Sequence, residues 1–320
     1  MSGVAGTAGR RPRVVWRDLT GIVLLDKLPG PSSNAVLQAT RRLFRARKAG
    51  HTGSLDPLAS GLLPLCFGHA TKISGMLLDA DKTYRVTAQL GVATSTGDAE
   101  GEPLEPMPVP VLRAGDLETA LARFRGPIEQ VPPMYSALKK DGRRLYELAR
   151  KGIEVERAPR QVIIHALQCL ALDEQQLTLE VRCSKGTYVR TLVEDIAKAL
   201  GTAGHVIALR RTQLGPFGDY RMWTQVALET LMAEGGEAAL DAVLLAPDLA
   251  LPHWPAVQLG QAEQACVLQG QAVFVNGPAG QGVKMYGPSG LFLGVGRMTA
   301  EGCRMAPERI MLDLKIPRQA

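Results

Sequence analysis

The sequence contains no long hydrophobic run, which excludes a membrane-spanning helix. No apolar stretch among its 320 residues approaches the roughly 18 to 20 residues that such a helix needs. The N-terminus, which carries Arg10, Arg11, Arg13 and Arg17, also lacks the apolar core of a secretion signal. We therefore expect a soluble globular protein of the cytoplasm.

The sequence is also poor in patterns that bind metals or form disulfides. Its five cysteines have no CxxC spacing, and their odd number argues against a disulfide framework. The sequence contains no GxxxxGK[ST] phosphate-binding loop, no HExxH helix and no paired clusters of metal ligands. We expect ordinary core positions for the cysteines, which are Cys66, Cys169, Cys183, Cys266 and Cys303.

Positive charge, in contrast, is present in excess. The net charge is +6 and the isoelectric point is near 9.1, which favours a polyanionic partner. Five basic residues without an acid among them, here called the basic cluster, directly precede the segment that contains Asp56. They could guide phosphates to that segment. A solvated helix face would give the same pattern, so both interpretations stay open. The cluster consists of Arg41, Arg42, Arg45, Arg47 and Lys48.

Composition divides the chain into a large domain and a small module. Residues 1–18, rich in Gly and Arg, are expected to form a flexible basic tail. Prolines concentrate between residues 246 and 256, so we place the large domain at 19–250 and the module at 251–320. Strands and helices alternate irregularly, which predicts a mixed α/β sheet instead of a doubly wound one. Apolar runs separated by Gly-rich turns predict a β-barrel-like module.

Several elements of the large domain follow from the spacing of apolar residues. Residues 21–27 form an apolar run ended by prolines, which predicts a strand. Residues 83–90 and 177–183 alternate apolar and polar side chains, which predicts two more strands. The predicted helices begin after residues 32–34, at an Asp116 cap and after residues 184–190.

Two connecting segments have distinctive compositions. Residues 95–115 are rich in Gly, Pro and acids and predict a surface loop. Residues 126–151 combine prolines with basic side chains and predict a mobile basic arm. The basic residues that define this arm are Lys139, Lys140, Arg143 and Arg144.

The most informative segment is residues 51–64, HTGSLDPLASGLLP, which contains Asp56. Pro57 favours extended backbone at Asp56, and Gly53 and Gly61 permit tight backbone on either side. Leucines surround the carboxylate, so it needs a cationic or hydrogen-bonding partner to stay ionised. A charged carboxylate held in this way is a plausible nucleophile. The same Asp-Pro pair could simply start a turn or cap a helix.

Several distinctive blocks follow one another along the chain. They are GIVLLDK at 21–27, AGHTGSLDPLASG at 49–61, DKTYRV at 81–86, PMYSALK at 133–139, CSKGTYVR at 183–190 and HVIALRR at 205–211. Together these blocks resemble the TruB family of tRNA pseudouridine synthases. The resemblance extends over roughly residues 20–215, and the order and spacing of the blocks make it specific.

This resemblance implies a fold and an activity. The implied fold is a mixed, largely antiparallel sheet of the pseudouridine synthase type, followed by an RNA-binding module of PUA type. The implied activity is isomerisation of the uridine numbered 55 in the T-loop of tRNA, with the base detached at N1 and rejoined through C5. The resemblance implies no cofactor, no metal ion and no obligate protein partner, so we expect a monomer that binds the tRNA T-stem-loop.

The resemblance also gives roles to individual residues. Asp56 matches the catalytic aspartate, and Arg190 matches the arginine that pairs with it and lowers its pKa. Tyr84 matches a tyrosine that stacks on the target base and is a candidate for proton removal. His51 matches a histidine that fills the space left when the base is extruded. The matched substrate-binding positions are His51, Lys72, Tyr84, Tyr188 and Leu209.

Two other functions agree with parts of the pattern. An RNA-binding protein or tRNA-folding chaperone on the same fold would need the basic surfaces but not the combination of Asp56, Tyr84 and Arg190. A glycosidase would need a second carboxylate beside Asp56, where we instead expect Arg190. The combination therefore favours a catalytic function.

Overall fold

The computed structural model describes residues 15–136, 138–140 and 142–311. Most of the predicted basic tail at 1–18 lies outside the described residues. None of the helices in the described ranges is long and apolar enough to cross a membrane.

The larger part of the chain is built on one eight-stranded sheet. The first ten strands are β1 (Gly21–Lys27), β2 (Ala49–His51), β3 (Ser60–Phe67), β4 (Lys82–Leu90), β5 (Gly126–Gln130), β6 (Lys139–Lys140), β7 (Arg143–Arg144), β8 (Arg160–Asp173), β9 (Gln176–Cys183) and β10 (Gly204–Leu214). The order in the large sheet is β1-β3-β10-β4-β9-β8-β5, β2 also pairs with β3, and β6 and β7 form a separate pair. Among the described strands of this large sheet, only β3 and β10 pair in parallel, so the predicted mixed, largely antiparallel sheet is confirmed.

Helices cover one face of this sheet. The α-helices are α1 (Ser33–Leu43), α2 (Ser74–Leu78), α3 (Ala114–Ala122), α4 (Leu145–Ala149), α5 (Val189–Ala199), α6 (Gln225–Asp241) and α7 (Gln261–Leu268), with 3-10 turns at Gly68–Lys72 and Pro247–Ala250. Val23 and Leu25 of β1 pack into a core shared with α1, α3, α5 and α6. The alternate residues Ile22 and Leu24 belong to a different core, on the opposite face.

Helix starts agree with the sequence patterns except at α3. The predicted cap of α1 is confirmed, because the Ser32 side chain accepts a hydrogen bond from the Ala35 amide at 3.2 Å. The α3 cap residue is instead Arg113, and Asp116 lies in the first turn. An acid is favourable at both places, since it can cap the helix or interact with the free amides of the first turn.

Strand β3 was not predicted from the sequence, although it lies between β1 and β10 in the large sheet. Its residues from Gly61 to Phe67 are all buried, so no apolar-polar alternation marks it. It also contains Pro64, which normally argues against an interior strand because proline donates no backbone hydrogen bond. The Pro64 carbonyl still accepts from the Thr52 amide at 3.3 Å.

The predicted basic arm begins inside the sheet, since residues 126–130 form β5 and pair with β8. β5 contains Pro127 and lies at the end of the sheet, where proline is tolerated. The excursion from the sheet therefore runs from residue 131 to residue 159 and includes α4.

The C-terminal region forms a small second sheet. Its strands are β11 (Ala256–Gln258), β12 (Val273–Phe274), β13 (Gly282–Tyr286), β14 (Phe292–Met298) and β15 (Arg304–Ile310), in the order β11-β13-β14-β15-β12. Phe292, Val295 and Met311 share a core with Ile22 and Leu24 of the large sheet. The predicted compact β module is therefore present, and it packs on the sheet face opposite the main helices.

The prediction that all five cysteines are core residues is wrong in part. Cys66 and Cys183 are buried, but Cys169 and Cys303 are exposed. Cys169 lies in a run of exposed residues in the second half of β8.

Candidate active site

A cavity of about 290 Å³ opens beside the Asp56 loop. Five of the seven residues assigned from the sequence line it: Asp56, Tyr84, Tyr188, Arg190 and Leu209. They come from the loop before β3, from β4, from the start of α5 and from β10. The fold thus brings residues from four distant segments around one space.

A buried lysine shapes the loop that carries Asp56. Lys27, at the end of β1, is 1% exposed. Its ammonium donates hydrogen bonds to the backbone carbonyls of Ala59 at 2.7 Å, Pro57 at 3.1 Å and Asp56 at 3.2 Å. Apart from the Leu28 carbonyl at 3.1 Å, the carbonyls that stabilise this ammonium belong to one loop, and the lysine therefore holds that loop in place.

The first residue of α1 fixes the same loop from the other side. The Ser33 hydroxyl accepts a hydrogen bond from the Leu55 amide at 2.7 Å and donates one to the Leu55 carbonyl at 2.9 Å. Leu55 is buried, so these bonds satisfy backbone groups that water does not reach. The neighbouring Asp56 side chain, 44% exposed, points to the mouth of the cavity.

Asp56 and Arg190 form the ion pair expected from the resemblance. Arg190 Nη2 lies 2.9 Å from Asp56 Oδ2, and the arginine side chain is only 8% exposed. Burial raises the pKa of the Asp56 carboxyl, and the Arg190 guanidinium opposes that rise. Arg190 thus acts on the Asp56 carboxyl in the direction expected from the resemblance, although desolvation is the larger effect and the net pKa is raised.

A second carboxylate holds the same guanidinium and was missed in the sequence. Arg190 Nη1 lies 3.2 Å from Asp98 Oδ2, and Asp98 is 2% exposed. The other oxygen of Asp98 accepts hydrogen bonds from the Thr96 hydroxyl at 2.5 Å and the Glu100 amide at 3.2 Å. The acidic composition of residues 95–115 concealed Asp98, since nothing local distinguishes a buried acid from its exposed neighbours.

Arg190 also donates hydrogen bonds to two backbone carbonyls, that of Thr96 at 3.0 Å and that of Tyr135 at 2.9 Å. Its donors are thus divided among the Asp56 loop, the loop that contains Asp98 and the beginning of the arm. One side chain connects all three segments, which makes its position strongly determined.

The two tyrosines of the cavity are held by backbone pairing. Tyr84 lies on β4 directly opposite Arg211 of β10, and burial raises the pKa of its hydroxyl. Tyr188 immediately precedes α5, and the buried Gln130 side chain binds both its amide, at 3.0 Å, and its carbonyl, at 3.3 Å. With Leu209, which is 9% exposed, they give the cavity aromatic and apolar surfaces.

His51 and Lys72 are not among the residues that line this cavity. Lys72 donates a hydrogen bond to the Ile310 carbonyl of β15 at 2.6 Å, because its 3-10 turn packs towards the C-terminal module. The Nδ1 atom of His51 is buried and finds no hydrogen-bond partner within the described residues. The expectation of a pocket lysine at Lys72 is therefore not met, and His51 lies outside the cavity.

The basic cluster does not form a free approach to the site. Arg41 stacks on Trp16 at 4.5 Å, Arg45 pairs with Glu237, and Arg47 lies 3.3 Å from Asp18. Three of its five basic side chains therefore have partners within the protein, which favours the structural interpretation of the cluster.

No group of three or more His, Cys, Asp or Glu side chains that could hold a metal ion occurs in residues 15–136, 138–140 and 142–311. The side chains around the cavity instead offer one ionised nucleophile candidate, two aromatic rings and a guanidinium. This set can bind a flat base and carry out proton transfer or nucleophilic attack.

Comparison with protein families covers almost all of the described residues. Residues 41–189 match the TruB family pseudouridylate synthase (N terminal domain). Residues 190–252 match the tRNA pseudouridylate synthase B C-terminal domain, and residues 255–311 match Pseudouridine synthase II TruB, C-terminal.

Curated relatives are similar over nearly their whole length. A protein named tRNA pseudouridine synthase B from Stutzerimonas stutzeri (strain A1501) is 54% identical over 298 residues, which cover 93% of this chain and 97% of that protein. A protein of the same name from Nitrosococcus oceani is 52% identical over 305 residues, which cover 95% and 98% of the two chains.

Solved structures show the same fold at lower identity. A chain in a Cbf5-Nop10-Gar1 complex aligns with a TM-score of 0.72 at 24% identity, covering 98% of this chain and 94% of that chain. A chain in the archaeal box H/ACA sRNP Nop10-Cbf5 complex aligns with a TM-score of 0.69 at 23% identity, covering 94% and 89%.

Proposed function

The chain belongs to the TruB family of pseudouridylate synthases, and on this premise we propose that it isomerises a uridine of tRNA to pseudouridine with Asp56 as the nucleophile. The observation that carries the proposal is the Asp56 carboxylate at the mouth of the cavity, 2.9 Å from the buried guanidinium of Arg190. By family membership, the target is the uridine numbered 55 in the T-loop.

The chemistry needs little beyond these groups. Isomerisation breaks the C1′–N1 bond, forms a C1′–C5 bond and moves one proton from C5 to N1, so no net oxidation or reduction occurs. Asp56 supplies a nucleophile that Arg190 keeps ionised against the cost of burial. The oxygen of Tyr84, once its hydroxyl has released its proton, supplies a base that can take the C5 proton.

The shape of the cavity supports extrusion of the target base. A base stacked inside a folded loop cannot reach Asp56, so it must leave the stack, which costs a few kcal/mol. Tyr84 and Tyr188 offer aromatic faces and Leu209 offers an apolar surface that offset this cost by stacking and burial.

The rest of the chain is assigned to RNA binding. The arm from residue 131 to residue 159 and the β module after residue 250 are the parts that contact the tRNA outside the target loop. The protein acts as a monomer in the cytoplasm, without a cofactor or an obligate protein partner. No feature of the described residues favours a purely RNA-binding or chaperone function.

Site-mapped pseudouridine detection on unmodified tRNA tests this function. Incubation with the protein should convert the T-loop uridine numbered 55, and a transcript with cytidine at that position should remain unmodified. Tight tRNA binding without any conversion would instead support the chaperone function and contradict the proposal.

A further inference from the structure

Arg211 is the largest of the fully buried side chains, with 1% exposure, and neither the sequence patterns nor the reaction described above gave it a role. It lies on β10, two residues after the cavity residue Leu209. Within the described part of the chain, its guanidinium binds backbone carbonyls and forms no ion pair with a carboxylate. A buried cation without a counter-charge is costly, so its position calls for an explanation.

The first set of contacts joins the two ends of the Asp56 loop. Arg211 Nε donates a hydrogen bond to the Leu62 carbonyl at 2.7 Å, and Nη2 donates one to the Gly53 carbonyl at 3.2 Å. Gly53 precedes Asp56 and Leu62 follows it in the chain. Arg211 therefore closes the loop that carries the nucleophile.

The second contact is with Tyr84. Arg211 and Tyr84 are directly opposite each other in the antiparallel pairing of β10 with β4, so their side chains lie on the same face of the sheet. Burial raises the pKa of the Tyr84 hydroxyl, and the nearby charge of Arg211 opposes the rise. One buried cation thus binds the Asp56 loop and lies opposite the tyrosine.

We propose that Arg211 is a positioning residue for the same reaction, which fixes the Asp56 loop relative to Tyr84 and stabilises negative charge on the Tyr84 oxygen. This inference rests on the proposed function. Tyr84 can accept the C5 proton only after its hydroxyl has released a proton to solvent, and Arg211 lowers the cost of that release. The C5 proton then bonds to the Tyr84 oxygen and passes to solvent, while N1 of the uracil takes one proton from solvent.

Other charged or titratable groups lie near Arg211 and Tyr84, and the experiment must distinguish their effects from that of Arg211. The Cys183 thiol of β9 and the Asp56 carboxyl both raise the pKa of Tyr84. Around Arg211, burial and the guanidinium lower the pKa of His51 and lower that of Lys82 to about 8. Since the pKa of Lys82 lies at about 8, a pH profile alone cannot identify Tyr84, and the test must change the acidity of Tyr84 itself.

The experiment combines Arg211 variants with a more acidic tyrosine. The variants are Arg211→Met, which removes the charge, and Arg211→Lys, which keeps it. Each is made with tyrosine or with 3-fluorotyrosine at position 84, because fluorine lowers the pKa of the phenol. Single-turnover pseudouridine formation, affinity for the T-stem-loop and thermal unfolding are measured for all four proteins. The matched control is Arg210→Met, which removes the neighbouring arginine that pairs with Asp26 at 2.9 Å.

We expect Arg211→Met to slow single-turnover pseudouridine formation at neutral pH by about tenfold or more. The reason is that the general base Tyr84 would lose the cation that stabilises its negative charge. Fluorination at position 84 should restore part of the rate, and Arg211→Lys should lose less than Arg211→Met. Arg210→Met should keep the wild-type rate. RNA affinity should be similar in all variants.

If the wild-type protein forms pseudouridine, two outcomes would overturn the inference. One is a wild-type rate in Arg211→Met, and the other is a lost rate that fluorination does not raise at all. If Arg211→Met fails to fold, the same comparison is read from Arg211→Lys with and without fluorination. Absence of pseudouridine formation by the wild-type protein would contradict the proposed function instead.

Discussion

The Tyr135 carbonyl accepts a hydrogen bond from the same guanidinium nitrogen of Arg190 that pairs with Asp56, at 2.9 Å in both cases. Tyr135 lies at the beginning of the arm, so the segment assigned to RNA binding and the nucleophile share one cation. The other nitrogen of the guanidinium pairs with Asp98. Loss of Arg190 should therefore disturb the nucleophile, the acidic loop and the arm together.

Replacing Arg190 by methionine should both inactivate and destabilise the protein. Asp98 is 2% exposed and would lose the partner of its buried charge, which costs about 3 to 5 kcal/mol of the free energy of unfolding. Chemical denaturation measures this loss. The double variant Arg190→Met with Asp98→Asn should recover much of the stability but none of the activity; an equally unstable double variant would contradict the ion-pair explanation.

The loss of activity at acid pH should follow the protonation of the Asp56 carboxylate. Burial raises the pKa of Asp56, so pseudouridine formation should fall as the pH drops through a value above the ordinary pKa of aspartate. The Asp98 charge contributes to that rise, hence Asp98→Asn should move the acid limb of the single-turnover rate to lower pH. A shift to higher pH would show that Asp98 acts on Asp56 through geometry and not through charge.

Lys27→Met should loosen the Asp56 loop. The substitution removes the donor of the hydrogen bonds to the carbonyls of Asp56, Pro57 and Ala59, and each buried carbonyl left unpaired costs about 1 kcal/mol or more. We expect lower thermal stability, faster amide hydrogen exchange at residues 54–59 and a reduced single-turnover rate. Unchanged exchange in that loop would mean that Lys27 does not hold it.

The arm should contribute phosphate contacts. Replacing Lys139, Lys140, Arg143 and Arg144 by alanine should weaken tRNA binding and reduce the slope of log affinity against log salt by about one for each lost contact. Affinity titrations at several salt concentrations measure this slope.

The basic cluster provides the matched control for that experiment. Arg45→Ala and Arg47→Ala remove charges that already pair with Glu237 and Asp18, so they should leave the slope near the wild-type value. A large change in this control and none in the arm variant would reverse the assignment of the RNA-binding surface.

Short blocks of sequence were sufficient to identify the centre of the site. Asp56 and Arg190 each lie in a contiguous block that resembles the family, and the structure brings them into contact. Asp98 and Arg211 were missed because their significance arises from partners in distant segments. A local pattern cannot show that Asp98 meets Arg190 or that Arg211 meets Gly53.

Burial and contacts between distant segments explain why the sequence did not predict strand β3 or the partners of the basic cluster. β3 escaped prediction because it is buried on both faces and contains Pro64. The charge pattern of the basic cluster gave no information on Trp16 or Glu237, which engage it from other parts of the chain.

Single-turnover pseudouridine formation by Asp56→Asn, measured beside its affinity for the T-stem-loop, tests the central claim most directly. The account predicts that the variant keeps its fold and wild-type affinity while pseudouridine at the position numbered 55 falls below detection, because an amide at the mouth of the cavity is no nucleophile. Pseudouridine formed by Asp56→Asn at the wild-type rate would contradict the assignment of Asp56.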